Sequence, residues 1–171
     1  MKSQRIKKHP GRPDLVGEHP LGDVLQVILI VIFLVVWIAD SFIWHFSDFP
    51  GREASIMLRI IAGTALAIPA WILVRGGLRT VFGIPGEKPE VFRTGAFSLV
   101  RHPIYLGSIL FQLSLVVFTL SLASAGLWLI ITGFYYYISR YEEKALTEQF
   151  GEEYEQYKKD VPMLFPRLGG R

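Results

Sequence analysis

The sequence predicts an all-α membrane protein: four transmembrane helices, the last two forming a tight hairpin, with a cytoplasmic loop and an amphipathic C-terminal helix. Three observations carry this expectation. The 171 residues are 51% hydrophobic and 19% charged, with a mean hydropathy of +0.36, which leaves too little polar surface to cover a soluble domain. The apolar residues fall in long uncharged runs rather than in the alternating pattern of strands. The 18 Lys and Arg gather mainly in three segments at the ends of those runs.

Residues 24–39 carry no charge, and with Asp40 near its end the stretch continues through Trp44, about the 20 residues that cross a hydrocarbon core. This first span, 24–44, begins too late for a removable signal peptide and lacks its small-residue cleavage site. A second uncharged run, 60–74, reaches spanning length when extended to Ser55, with Arg59 snorkelling toward the headgroups. Pro69 is expected to kink this span, 55–74. Gly76 and Gly77, with Gly83 and Gly86, read as loop punctuation beyond it. Residues 104–139 form 36 positions without a formal charge, about 54 Å as one helix and longer than a bilayer core is thick. A break at the small-residue patch Ser121-Leu122-Ala123-Ser124-Ala125-Gly126 gives spans at 104–120 and 124–140.

Positive charge prefers the cytoplasmic side. Residues 1–22 form a basic arm with Lys2, Arg5, Lys7, Lys8 and Arg12; the central loop has Arg75, Arg79, Lys88, Arg93 and Arg101; the tail has Arg140, Lys144, Lys158, Lys159, Arg167 and Arg171. An even number of crossings puts all three on one face, with both termini cytoplasmic. Only loop 45–53, with Arg52, and the hairpin tip remain outside. Asp40 then reads as a helix-end residue and Arg59 as an interface anchor. Residues 23–171 are expected to form a single membrane domain. In the tail, Leu146, Phe150, Tyr154 and Tyr157 recur at helical spacing among Glu, Gln and Lys. The string Val161-Pro162-Met163-Leu164-Phe165-Pro166 breaks that helix and is expected to press back onto the protein or the membrane interface.

Several chemistries are excluded. There is no cysteine, hence no disulfide framework and no thiolate nucleophile or metal ligand. No strand-linked glycine motif marks a dinucleotide site, no histidine spacing marks a metal site, and the small positive excess does not argue for nucleic acid. A site is expected where the loop and tail meet the hairpin ends. Pro103 suits the first turn of a helix, leaving the N–H groups of Ile104, Tyr105 and Leu106 beside Arg101 as a seat for an anion. His102 and Tyr105 would share a helical face. After the hairpin, Arg140, Glu142 and Glu143 return to the same membrane face, with only one of the adjacent glutamates able to look into a site. The plain alternative for both clusters is interfacial anchoring and a solvated helix face.

The string Arg101-His102-Pro103-Ile104-Tyr105-Leu106-Gly107, followed after one hairpin by Glu142-Glu143-Lys144-Ala145-Leu146 and Phe150-Gly151-Glu152-Glu153-Tyr154, resembles the isoprenylcysteine carboxyl methyltransferase family. Phospholipid N-methyltransferases share the first part. The resemblance covers about 94–166 and implies an integral-membrane enzyme using S-adenosylmethionine at its cytoplasmic face. The implied acceptor is lipid-like and enters from the bilayer, foremost a prenylcysteine carboxylate, with N-methylation of a phospholipid or other small amphiphile as the alternative. The family's pattern assigns His102, Tyr105 and Glu142 to the cofactor, with Phe97, Pro103 and Leu106 beside them. Phe97 stands where the family is expected to have tyrosine. Arg101 and Arg140 are the expected orienting cations, and Glu143 or Glu142 the base an amine would require. Eukaryotic members have an arginine one turn before the first glutamate; here that position is Ile138. Two other classes compete: a non-catalytic membrane protein, and a sterol reductase that would need a nicotinamide site.

Overall fold

The computed structural model describes residues 22–47, 56–83 and 90–166, and the regular elements among them are helical. Residues 1–21 of the basic arm, Arg52 with most of its loop, Lys88, Arg167 and Arg171 lie outside the described residues. The first apolar run forms α1, Gly22–Ile38, and ends in a π-helical turn, Ala39–Trp44, closed by His45 at φ 51°. That turn carries Asp40 and Ser41 inward, where both are buried.

The second run forms α2, Ile56–Val81, which continues through Pro69 and past the expected end at 74. Gly76 and Gly77 are therefore helical rather than loop. Their neighbours explain why glycine is needed: a Cβ on Gly77 would stand 2.6 Å from Ile104 Cγ1. Across the contact, a Cβ on Gly107 would lie 2.6 Å from Val74 Cγ2 and 2.9 Å from the Ala70 carbonyl oxygen. Small residues on both helices thus let the backbones approach closely, as membrane helices do where dispersion replaces the hydrophobic effect.

The uncharged block divides into α3, Pro103–Thr119, and α4, Leu122–Phe150. The break falls at Leu120, in the left-handed conformation (φ 57°), and Ser121. Most of the small-residue patch becomes the first turn of α4 instead of a loop, because Ser121 Oγ accepts from the Ser124 N–H at 3.0 Å and caps the helix at once. At its other end α4 does not stop at 140. It runs to Phe150, where Gly151 (φ 54°) turns the chain into α5, Glu152–Asp160. The expected amphipathic helix is thus two helices, yet its apolar stripe survives. Leu146 and Phe150 pack with buried Tyr154, Tyr157 and Val161.

Among the described residues three helices, at Val24–Trp44, Ile56–Val81 and Leu122–Phe150, are long and apolar enough to cross a membrane; α3 is shorter, at 17 residues. Trp37 Nε1 donates to Leu115 O (3.1 Å) and Thr119 Oγ1 (3.0 Å), and Trp128 Nε1 donates to Ile109 O (3.0 Å), so α1 and α4 are both tied to α3. Between them lies a core of Phe33, Ile109, Val116, Ile131, Tyr135 and Ile138. The outer faces are apolar too: Trp71 is 61% and Ile130 71% exposed, a distribution suited to lipid rather than water.

Candidate active site

The site is built where α3 begins. His102 precedes the helix and Pro103 occupies its first turn. The C-terminal strap crosses at this point: Arg101 N–H donates to Pro162 O (2.9 Å) and His102 N–H to Met163 O (3.1 Å). Leu164, 1% exposed, anchors the strap among Leu73, Ala96, Val100 and Leu106. The proline-bounded tail therefore does fold back onto the protein.

Arg101 makes the strap a clamp. Its Nε donates to Glu143 Oε1 at 2.7 Å, and its Nη1 donates to Lys158 O (2.9 Å) and Val161 O (2.5 Å). Both side chains of the Arg101–Glu143 pair are less than one-tenth exposed. A buried charge pair is tolerable when its remaining hydrogen-bonding capacity is filled, and here backbone carbonyls at the end of α5 fill it. Tyr157 adds a second tie, donating from its hydroxyl to Phe97 O at 2.6 Å. Burial pushes the Tyr157 phenol above its usual range against the pull of Arg101 and Arg93, so it remains a proton donor.

Beside this clamp, His102, Tyr105 and Glu142 face a different way. The His102 and Tyr105 rings stack with 5.5 Å between centroids and 6° between planes, and Tyr105 stacks in turn on Tyr135 at 5.2 Å. Tyr105 donates from its hydroxyl to Glu142 Oε1 at 2.8 Å. His102 Nδ1 lies 3.6 Å from Glu142 Oε2, and His102 Nε2, 3.6 Å from Glu143 Oε1, is buried without a hydrogen-bond partner. An unsatisfied buried nitrogen is costly unless something binds it.

These residues line a cavity of about 470 Å³, within the ~300–1,000 Å³ of small-molecule sites. Phe92, Phe97, Leu146, Tyr154 and Tyr157 form one wall, and Gln26, Val27, Ile30, Leu78 and Phe82 another. Of the residues singled out in the sequence, Phe97, Arg101, His102, Pro103, Tyr105 and Glu142 border the cavity. Glu143 lies behind them, holding Arg101. Leu106 faces the core, and its N–H donates to His102 O at 3.1 Å as part of the helix, so that amide is not available to an anion. Arg140 is exposed and does not border the cavity, whereas Ile138 is buried in the core. Sequence reasoning missed the α1 wall with Gln26; a lone amide in an apolar span was its only signal. Among the described residues no cluster of three metal-ligating side chains occurs.

A family model described as "Protein of unknown function (DUF1295)" matches residues 20–161. The chain belongs to this family. Relatives of the chain include methanethiol S-methyltransferase of Crocosphaera subtropica, 32% identical over 136 residues, covering 74% of this chain and 52% of that protein. Methanethiol S-methyltransferase 1 of Bradyrhizobium diazoefficiens is 32% identical over 133 residues, 72% of this chain and 45% of that protein. The cobalt-zinc-cadmium resistance protein CzcN of Cupriavidus metallidurans is 32% identical over 139 residues, 79% of this chain and 61% of that protein. The chain thus spans about half the length of the curated relatives it matches. No solved structure matches. The family match supports the resemblance to the isoprenylcysteine carboxyl methyltransferases drawn from the His102, Tyr105 and Glu142 motifs.

Proposed function

We propose that the protein transfers a methyl group from S-adenosylmethionine to a small apolar thiol that reaches the site from the bilayer. The observation that carries this reading is one cavity in which His102, Tyr105 and Glu142 face a largely apolar wall. Its one arginine or lysine among the described lining residues, Arg101, is already committed to Glu143 and two carbonyls. The residues fit the cofactor. The His102 ring borders the cavity, the Glu142 carboxylate can accept from ribose hydroxyls or an ammonium, and Phe97 supplies a flat apolar surface for a base. When bound, the cofactor supplies an electrophilic methyl on a sulfonium. The chain's part is to orient the two reactants and exclude water, because a thiolate stripped of hydration attacks faster. A thiol gives up its proton as the carbon–sulfur bond forms, and Glu142, His102 and Glu90 are the lining groups able to take it.

A prenylcysteine carboxylate is the competing acceptor. It asks for an uncommitted cation near the methyl donor, and the position that supplies one in eukaryotic relatives is the buried Ile138, with Arg140 facing outward. The names of the methanethiol S-methyltransferases add weight to the thiol. Four crossings with both termini cytoplasmic complete the reading. Gly77 and Pro103 adjoin at the site end, and Arg59 Nη1 meets Phe118 O (3.2 Å) at the other, so α2 and α3 run in opposite directions. The cations Arg75, Arg79, Arg93 and Arg101 all belong to the site end. Incubation in membranes with methyl-labelled S-adenosylmethionine and ethanethiol, farnesylcysteine or phosphatidylethanolamine tests the proposal. Label in ethyl methyl sulfide is expected; label only in a farnesylcysteine methyl ester or a phospholipid overturns the thiol, and no label anywhere overturns methyl transfer.

A further inference from the structure

The outer face of α2 changes character toward the site end of the bundle. Ile68, Trp71 and Ile72 present hydrocarbon and an indole to the outside, and Arg75 and Arg79 follow on the same strip, all five of them exposed. Side chains four apart share a helix face, so Trp71, Arg75 and Arg79 stand in one column above an apolar band. Tryptophan settles at the level of the lipid headgroups, which puts the two guanidinium groups among the phosphates of the leaflet at the site end.

The column has an order that a loose cationic surface lacks. The Arg75 guanidinium carbon lies over the Trp71 ring, 4.8 Å from its centroid, which restrains a side chain that would otherwise lose more entropy on binding. An arginine held on a ring face keeps N–H groups for an anion. Neither Arg75 nor Arg79 pairs with a carboxylate among the described residues, whose ion pairs fall on Arg93, Arg101, His102 and Lys158. Like charges one helical turn apart repel, and an anion between them removes the repulsion. Neither arginine borders the cavity, so the methyl-transfer site makes no use of them. On α4 the exposed Arg140 and Lys144 have the same spacing, but among the described residues no ring holds either of them.

We propose that Trp71, Arg75 and Arg79 form a binding site for the phosphate of an anionic phospholipid whose acyl chain lies along Ile68 and Ile72. A lipid fits better than a free phosphate because the two cations sit directly above an exposed apolar strip. Charge selects the headgroup. The ammonium of a zwitterionic lipid would meet two arginines and no carboxylate, whereas phosphatidylglycerol brings only negative charge. The site stands apart from the acceptor proposed above and does not depend on it.

Quenching of tryptophan fluorescence by brominated lipids tests it. The full-length protein is reconstituted in phosphatidylcholine vesicles carrying a minor share of brominated phosphatidylglycerol or of brominated phosphatidylcholine. The contribution of Trp71 is the difference between the wild type and Trp71→Phe. Trp71 is expected to select phosphatidylglycerol by at least about fivefold, and the double variant Arg75→Gln/Arg79→Gln to lose that selection. Arg140→Gln/Lys144→Gln is expected to keep it, and inorganic phosphate at constant ionic strength is expected not to displace the lipid. Equal quenching of Trp71 by the two lipids, or equal losses in the two double variants, overturns the site in favour of a general cationic belt. Displacement by inorganic phosphate overturns the lipid as its occupant. Far-ultraviolet circular dichroism reports that each variant is folded, and the comparison of the two lipids on the wild type holds whatever the double variants do.

Discussion

The two ends of the helix bundle solve the same problem in opposite ways. At the end away from the site, the buried Asp40 carboxylate accepts from Ser47 N–H (3.0 Å), Ser47 Oγ (2.6 Å) and Ser121 Oγ (2.5 Å). Ser47 in turn accepts Ala123 N–H at Oγ (2.8 Å) and Leu122 N–H at its carbonyl (3.1 Å), so it caps α4 from across the chain. The Asp40 carboxylate spends its hydrogen-bonding capacity on holding helices together. At the site end, Arg101 and Glu143 do the same, but their sequence neighbours His102 and Glu142 border a cavity, and His102 Nε2, 3.6 Å from Glu143 Oε1, makes no hydrogen bond. Function is the capacity that folding leaves unspent.

That contrast can be broken by substitution. The largest effect is expected for Glu142→Ala and His102→Ala, each lowering turnover of a labelled thiol about 100-fold or more with a smaller loss of Tm than Arg101→Ala. Arg101→Ala comes next. It strands Glu143 in a buried setting, a change that costs about 3–5 kcal/mol, and it frees the strap, so a lower Tm and faster proteolysis within residues 161–166 are expected. Arg101→Lys should restore only part, since one ammonium cannot fork between a carboxylate and two carbonyls. Asp40→Ala is expected to lower Tm through a loss of about 1–3 kcal/mol while the folded fraction keeps its affinity for S-adenosylhomocysteine. The smallest effect is reserved for Arg140→Ala, with turnover within about twofold because an exposed surface cation contributes little. A large loss there would restore Arg140 to the site.

Much of the fold could be read from residues. Uncharged runs announced the helices because hydrocarbon tolerates few formal charges. The convergence of Arg101-His102-Pro103 with Glu142-Glu143 followed from a hairpin too long to be one span. Boundaries were harder. Gly76 and Gly77 look like a loop in isolation, and only the approach of Ile104 reveals them as a packing surface. Nor can sequence tell which of two adjacent charged residues faces inward. Glu142 and Glu143 divide between cavity and clamp because Arg101 reaches toward α5, a contact about 60 residues away in the chain. The same long-range contact turns Arg101 from an expected anion-orienting group into a tie for the C-terminal strap.

The most direct measurement is titration calorimetry of S-adenosylhomocysteine into the detergent-solubilised wild type, His102→Ala and Asp40→Asn. One saturable site is expected in the wild type, weakened at least about tenfold in His102→Ala and preserved in Asp40→Asn. No heat of binding in the wild type, or equal affinity in all three proteins, would contradict the assignment of the His102–Tyr105–Glu142 cavity to the methyl donor.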